Sequence, residues 1–236
     1  MMIPDFLHFL VNPDILTRYG WKFVDGFFVT IKLVALSYTA GFFLSIFITL
    51  AVRSKYSALR IPARIYILFF RGSPLLAQLF LFYYGIGSFT ELWKSVGLWW
   101  FFQSSWWCCL LIFALNTAGY QAEIFRGSMQ SVPTGQYEAA KALGLDGRTT
   151  FIRVILPQSM IMALRPLGNE FILMVKASAV ASLVTVYDIM GVAKLAYSRT
   201  FDFQVYIWAA VLYLLIVEVV RRAIGITERR LTRHLR

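Results

Sequence analysis

Charged side chains are scarce in this chain. They make up 15% of its 236 residues, while 59% are hydrophobic; soluble domains carry about 25% charged residues. A soluble fold of this size cannot hide that much apolar surface in one core, so lipid is the expected solvent. Cysteine and histidine are scarcer still, with two of each. Cys108 and Cys109 are adjacent, a spacing that seldom closes a disulfide, and they read as small lipid- or helix-facing residues within an apolar run. His8 and His234 stand at opposite ends with no clustered ligands, so no metal site is expected. The sequence has no GxxxxGK(S/T) phosphate loop, which excludes ATP hydrolysis by this chain alone. No internal repeat splits it in two, as in many secondary transporters. No low-complexity linker separates a second domain, and residues 1–236 are expected to form a single transmembrane domain. No basic stretch precedes an apolar core at the N-terminus, where Pro4, Asp5, His8, Pro13 and Asp14 intervene. No signal peptide is therefore expected, and the mature chain should begin near Met1. Phe6–Val11 reads as a short interfacial helix.

What the chain has in quantity is apolar length. A membrane-spanning helix needs about 20 mostly apolar residues. Five such segments stand out, near 24–52, 62–87, 99–125, 159–179 and 205–220. The second is interrupted by Arg71-Gly72-Ser73-Pro74, and the third starts in a belt of Trp99, Trp100, Trp106 and Trp107. Tyr83, Tyr84, Trp93 and Trp99 are read as interfacial anchors. A further stretch near 180–192 either spans or only dips into the membrane. The expected class is an all-α integral membrane protein.

Net charge is +11, and the position of that charge decides its meaning. Arg53, Lys55, Arg60 and Arg64 lie between the first two segments. Arg126, Lys141, Arg148 and Arg153 lie between the third and fourth. The tail carries Arg221, Arg222, Arg229, Arg230, Arg233 and Arg236. The opposite loops, with Glu91, Lys94, Asp188, Lys194, Arg199 and Asp202, are nearly balanced. The positive-inside rule then puts the 53–64 loop, the 126–153 loop and the C-terminus in the cytoplasm, and the N-terminus outside. The basic tail reads as a juxtamembrane segment in reach of anionic lipid rather than as a nucleic-acid arm.

The cytoplasmic loop at 132–157 holds the most specific pattern. Glu138-Ala139-Ala140 is followed after three residues by Gly144. Nine residues later come Val154, Ile155, Leu156 and Pro157. Val132-Pro133 ends the upstream helix. Thr134 is the expected N-cap of a short amphipathic helix reaching about Leu143, and Gly144 its C-terminal stop. Pro157 is expected to open the next membrane helix. This resembles the EAA loop of ATP-binding-cassette importer permeases, with Val154 where their pattern has isoleucine. Phe70-Arg71-Gly72-Ser73-Pro74-Leu75-Leu76-Ala77-Gln78 is similar to a segment of the polar amino-acid permeases, with Ser73 in place of threonine. Asn116 to Gly127, and Leu167-Gly168-Asn169-Glu170-Phe171 with Lys176-Ala177-Ser178, resemble two more. The stretch 174–197 looks most like the subset for histidine, lysine, arginine, ornithine or opines.

The resemblance implies the type I importer permease fold and a set of partners. In that family the knob at Glu138, Ala139, Ala140, Gly144, Leu156 and Pro157 docks on an ATPase subunit. ATP and magnesium are then bound by that partner, and this chain needs no cofactor of its own. Five helices are too few to enclose a gated path. A second, homologous permease is expected, in a heterodimer rather than a homodimer, with two ATPase copies and a periplasmic binding protein. The expected setting is the bacterial inner membrane, and the expected cargo is polar, basic amino acids or opines. A secondary carrier or channel is the alternative and would transport without ATP or partner subunits. A membrane enzyme would need a catalytic constellation that the sequence does not offer.

Ionisable residues at membrane depth are costly and mark function. Arg71 suits bidentate contact with a carboxylate; it either binds or helps select the α-carboxylate of an amino acid, or it snorkels or locks the bundle through Glu123 or Glu170. Gln78 joins it as a substrate contact. Asn116, Tyr120 and Glu123 share a helix face by spacing and either line the pathway as a gate or pack on the fourth helix. Asn169 and Lys176 share another; Asn169 either meets the substrate amino group or bonds a neighbouring helix. Glu170 is a candidate for a cationic side chain of the cargo. Asp188 is a candidate substrate, gate or receptor contact.

Overall fold

The computed structural model describes residues 12–231. The expected helix at Phe6–Val11, both histidines, and Arg233 and Arg236 lie outside the described residues. Within them every regular element is helical.

Helix α1 runs from Pro13 to Arg53, 41 residues, or about 60 Å at 1.5 Å per residue. It starts a full three turns before the expected 24. Arg18, Lys22 and Asp25 interrupt the apolar run without interrupting backbone pairing, and Pro13 at the first helical position needs no hydrogen bond. Helix α2 (Ser57–Gly72) ends where expected. Ser73 and Pro74 take extended backbone, because the residue before proline is pushed out of the helical region. Helix α3 (Leu75–Phe80) follows, widening at Leu81–Gly85 and tightening at Ile86–Ser88. Short helices α4 (Thr90–Ser95) and α5 (Trp99–Phe102) lead to α6 (Ser105–Gln130). Helix α7 (Thr134–Ala142) is the expected loop helix. Helix α8 (Gly147–Thr149) passes without a gap through a wide turn at Thr150–Ile155 into α9 (Leu156–Ala177). Helix α10 (Ile189–Thr200) and α11 (Gln204–Leu231) complete the chain.

Among the described residues three helical segments are long and apolar enough to cross a membrane: Pro13–Arg53, Ser105–Gln130 and Gly147–Val184. The broken pair α2/α3 brings the number to as many as four, against the five expected. The fifth expected segment falls inside α11, whose 28 residues extend about 42 Å. The 180–192 stretch is a tight helical turn at Ser178–Val184, a left-handed Thr185 at φ 63°, and the start of α10. Its first residues, to Val184, end the candidate span Gly147–Val184, and the twelve residues of α10 cover about 18 Å, less than the ~30 Å hydrocarbon layer.

The chain packs as two compact units. The first comprises the described part of Met1–Thr39 with Pro74–Ala114 and Met174–Glu218. Its centre is polar and fully enclosed. Asp188 is completely buried, takes a hydrogen bond of 2.8 Å from the Gly191 amide as N-cap of α10, and takes another of 3.0 Å from the Tyr213 hydroxyl. Thr30 Oγ1 accepts from the Ile189 amide. Gly26 lies so close that a Cβ there would meet the Asp188 carbonyl at 3.0 Å.

The second unit comprises Ala40–Ser73, Leu115–Leu173 and the described part of Val219–Arg236. Small residues set its helix packing. Ala63, Ala118 and Ala122 cluster with Ile48 and Val52, and short side chains are what let membrane helices approach closely. Gly119 sits against Phe70, and Tyr66 donates at 2.6 Å to the Leu115 carbonyl. Phe42 and Phe125 meet edge to face.

Candidate functional site

Two features of the second unit carry chemistry: the exposed loop helix α7, and a cluster of arginines around one carboxylate.

Helix α7 projects. Ala140 alone of its residues is buried, and the following Leu143 is 78% exposed. Its N-cap is Pro133, at φ −55° and ψ 139°, with no side-chain cap; Thr134 is the first helical residue rather than the cap. Pro133 already holds the extended backbone an N-cap requires, so the threonine hydroxyl is not needed there. The C-terminus is closed by a double turn. Gly144, at φ +74°, donates to the Lys141 carbonyl, and Leu145 donates to that of Ala140, each at 3.0 Å. This is the Schellman arrangement, which favours glycine in the left-handed position. Asp146 then caps the next turn, accepting from the Arg148 and Thr149 amides. Hydrogen bonds from the Thr149 side chain first, and then from the Thr149 and Arg148 amides, hold its carboxyl below the usual aspartate range.

The base of the knob is stiff. Gln158 donates at 3.1 Å to Gln136, tying the start of α9 to α7. Ile155 is fully buried. Pro157 does not open a helix; it sits in the second position of α9, inside a continuous helical run. Proline has no amide to donate and its ring crowds the preceding turn, which widens at Thr150–Ile155. Arg53 lies over the Phe151 ring at 5.8 Å, another contact at this level.

The arginine cluster surrounds Glu123. Arg126 binds both carboxylate oxygens, with Nε 2.8 Å from Oε2. Arg71 stands further off, Nη1 3.8 Å from Oε1, with its guanidinium 5.5 Å from the Tyr120 ring centre. Around them lies an open cavity of about 540 Å³ lined by Val52, Arg64, Ile67, Leu68, Arg71, Gly72, Glu123 and Arg126. The structure therefore brings together Arg71, Tyr120 and Glu123. Asn116 is buried beside them and donates at 3.1 Å to the Phe70 carbonyl, where it braces the end of α2.

The remaining expected residues fall elsewhere. Glu170 is buried and accepts from the Thr117 hydroxyl, which is also reached by Gln121. Asn169, one residue away, is exposed. Gln78 (buried), Lys176 (exposed) and Asp188 belong to the first unit. Asp188, with its carboxylate engaged by Gly191 and Tyr213, serves first as an internal cap. Arg64 reads in the sequence as a loop charge, and the structure places it in the lining of the cavity around Glu123. Its spacing to Arg60 and Arg71, four before and seven after, puts all three on one helix stripe, which was the available signal. Among the described residues no cluster of histidine, cysteine or carboxylate side chains suits a metal.

Residues 15–233 match the family described as binding-protein-dependent transport system inner membrane component. The chain is 39% identical over 208 residues to the nopaline transport system permease protein NocM of Agrobacterium fabrum, covering 88% of this chain and 86% of that one. It is 37% identical to the octopine transport system permease protein OccM of Rhizobium radiobacter, covering 92% and 89%. Its structure matches that of an amino acid ABC transporter, solved with histidines, at a TM-score of 0.82 and 32% identity, over 93% of this chain and 99% of that one. The chain belongs to the inner membrane components of binding-protein-dependent transport systems.

Proposed function

We propose that this chain is the permease subunit of an ATP-binding-cassette importer that carries basic amino acids or opines across the bacterial inner membrane. The observation that carries this reading is the short exposed helix α7, stopped by Gly144 and braced on α9, in an apolar chain with no phosphate loop. A protein that moves solute uphill without its own ATP site needs an external source of work, and α7 is the surface built to receive it. The permease relatives named for nopaline and octopine supply the cargo class.

In this account ATP and magnesium bind a separate ATPase, present in two copies, whose closure draws two such knobs together. The second knob belongs to a homologous permease in a heterodimer. A periplasmic binding protein delivers the solute to the outer face. The N-terminus is periplasmic and the C-terminus cytoplasmic, an orientation that the charge bias of the loops supports. The stroke enters through Ala140, Gln136 and the base of α9, and it changes the relative stability of inward- and outward-open states. Arg71 is held weakly enough by Glu123 to exchange that partner for a solute carboxylate. Asn169, Glu170, Gln78 and Asp188 are the further substrate candidates, and Lys176 lies on the pathway.

The test is reconstitution with a homologous permease, an ABC ATPase and a periplasmic binding protein. ATP-dependent uptake that vanishes when α7 cannot dock supports the proposal. Uptake by the permease alone, without ATP, overturns it in favour of a secondary carrier.

A further inference from the structure

The cavity around Glu123 carries a charge imbalance that says which members of the cargo class it suits. Its lining holds three guanidinium groups, Arg64, Arg71 and Arg126, and one carboxylate. The imbalance does not stop at its edge. An adjoining cavity of about 450 Å³ shares Val52, Arg64 and Arg126, adds Arg53, and has no carboxylate in its lining. Glu123 is also largely spent, since Arg126 occupies both of its oxygens. A solute guanidinium or ammonium finds no free counter-ion here. A solute carboxylate finds Arg71, loosely tethered at 3.8 Å with its side chain 41% exposed, and the exposed Arg64 two turns away on the same helix stripe. Guanidinium forks pair with carboxylates bidentately, so two such groups in one cavity suit two carboxylates on one molecule.

We infer that this cavity binds a solute with two or more carboxylates, a carboxylated conjugate of a basic amino acid, in preference to a plain basic amino acid. The inference rests on the importer reading above and narrows its cargo. At neutral pH arginine carries one net positive charge, octopine none and nopaline one net negative charge. A net positive cavity ranks them in the reverse order. The cavity's volume is within the range of small-molecule sites.

The experiment separates this site from the selectivity of the binding protein. Equilibrium binding of radiolabelled nopaline, octopine and arginine is measured on the purified permease–ATPase complex without receptor, at low ionic strength. The expected order of affinity is nopaline, octopine, arginine, with at least tenfold between the ends. Arg64→Gln and Arg71→Gln should each shrink that ratio severalfold. A Lys94→Gln control, in the exposed short helix α4 of the first unit, should keep it. A preference for arginine, equal binding of all three, no binding of any, or a ratio unmoved by both arginine variants overturns the inference. ATP-driven uptake with the receptor present is scored separately. Its presence alongside any of those results leaves the importer reading standing and removes only this narrowing; its absence overturns both.

Discussion

Arg71 Nη1 stands 3.8 Å from Glu123 Oε1 while Arg126 holds both oxygens of the same carboxylate. One acid thus serves two arginines unequally. The near pair is a clamp within α6, and the far arginine is the looser partner. The asymmetry makes the two arginines separable by mutation. Arg71→Ala keeps the Glu123–Arg126 pair, so the melting temperature of the complex should fall by no more than about 2 °C, in line with the small worth of a partly exposed ion pair. Solute-stimulated ATPase activity should fall at least tenfold. Glu123→Ala frees both arginines and should lower stability further. Equal stability losses with unchanged solute stimulation would show the cluster to be structural only.

Gly144 is required by its backbone rather than by its side-chain space. At φ +74° a β-branched residue costs about 1–2 kcal/mol, and the double turn that closes α7 opens. Gly144→Val should insert and assemble yet lose most ATP-driven uptake, and Glu138→Lys on the exposed face should behave alike. Insertion is checked by protease protection and coupling by uptake per ATP hydrolysed. Normal coupling ratios in both variants would contradict the knob's role.

The knob was legible because its signals are local. Gly144, the Pro133 break and the Leu156-Pro157 pair act within a turn or two of themselves. Other features were not, for reasons of the same kind. The start of α1 at Pro13 was obscured by Arg18, Lys22 and Asp25, which lower the apolar run while leaving the helix intact. The wide turn at Thr150–Ile155 has no residue code beyond Pro157, so the helix was expected to begin there instead of passing through. Asp188 reads as a substrate, gate or receptor contact because a lone acid at membrane depth marks function. Its partners Gly191 and Tyr213 stand three and 25 residues away, and the second of these is invisible to spacing. Spacing along α2 joins Arg64 to Arg71, but only the fold brings them to one cavity with Glu123.

Asp146 gives the knob a pH dependence of known sign. Hydrogen bonds from Thr149 and Arg148 lower its carboxyl pKa in the folded protein. A depressed acid stabilises the fold above its unfolded value, about 3.9, and that contribution is lost as pH falls through the folded value. Amide protection at Arg148 and Thr149 should be constant from neutral pH down to about 5 and decline only below about 4. Asp146→Ala should lose it at every pH, while Asp146→Asn, still a good cap, should keep it without the acid transition. Identical protection in wild type and the alanine variant at pH 7 would remove the cap from the account.

Close backbone approach makes Gly191 a sensitive position. A Cβ there would lie 2.4 Å from the Val186 carbonyl oxygen, and backbone cannot rotate aside as a side chain can. Gly191→Ala should destabilise the first unit by about 2 kcal/mol or more, in the range of steric overpacking. At Gly168 the clash is with the Ile224 side chain, the nearest carbon at 2.6 Å, so Gly168→Ala should be rescued in part by Ile224→Ala. Thermal unfolding of the three variants in detergent checks both statements; a harmless Gly191→Ala would refute the first and a non-rescued pair the second.

The central claim is that work enters this chain through α7, and site-directed cross-linking tests it most directly. With cysteine introduced as Glu138→Cys in a background lacking Cys108 and Cys109, the account predicts a cross-link to the ATPase subunit that forms in the assembled transporter, changes in yield with ATP, and blocks ATP-driven uptake when formed. A residue 138 that labels from the periplasmic side, or that cross-links to nothing while uptake proceeds, would contradict it.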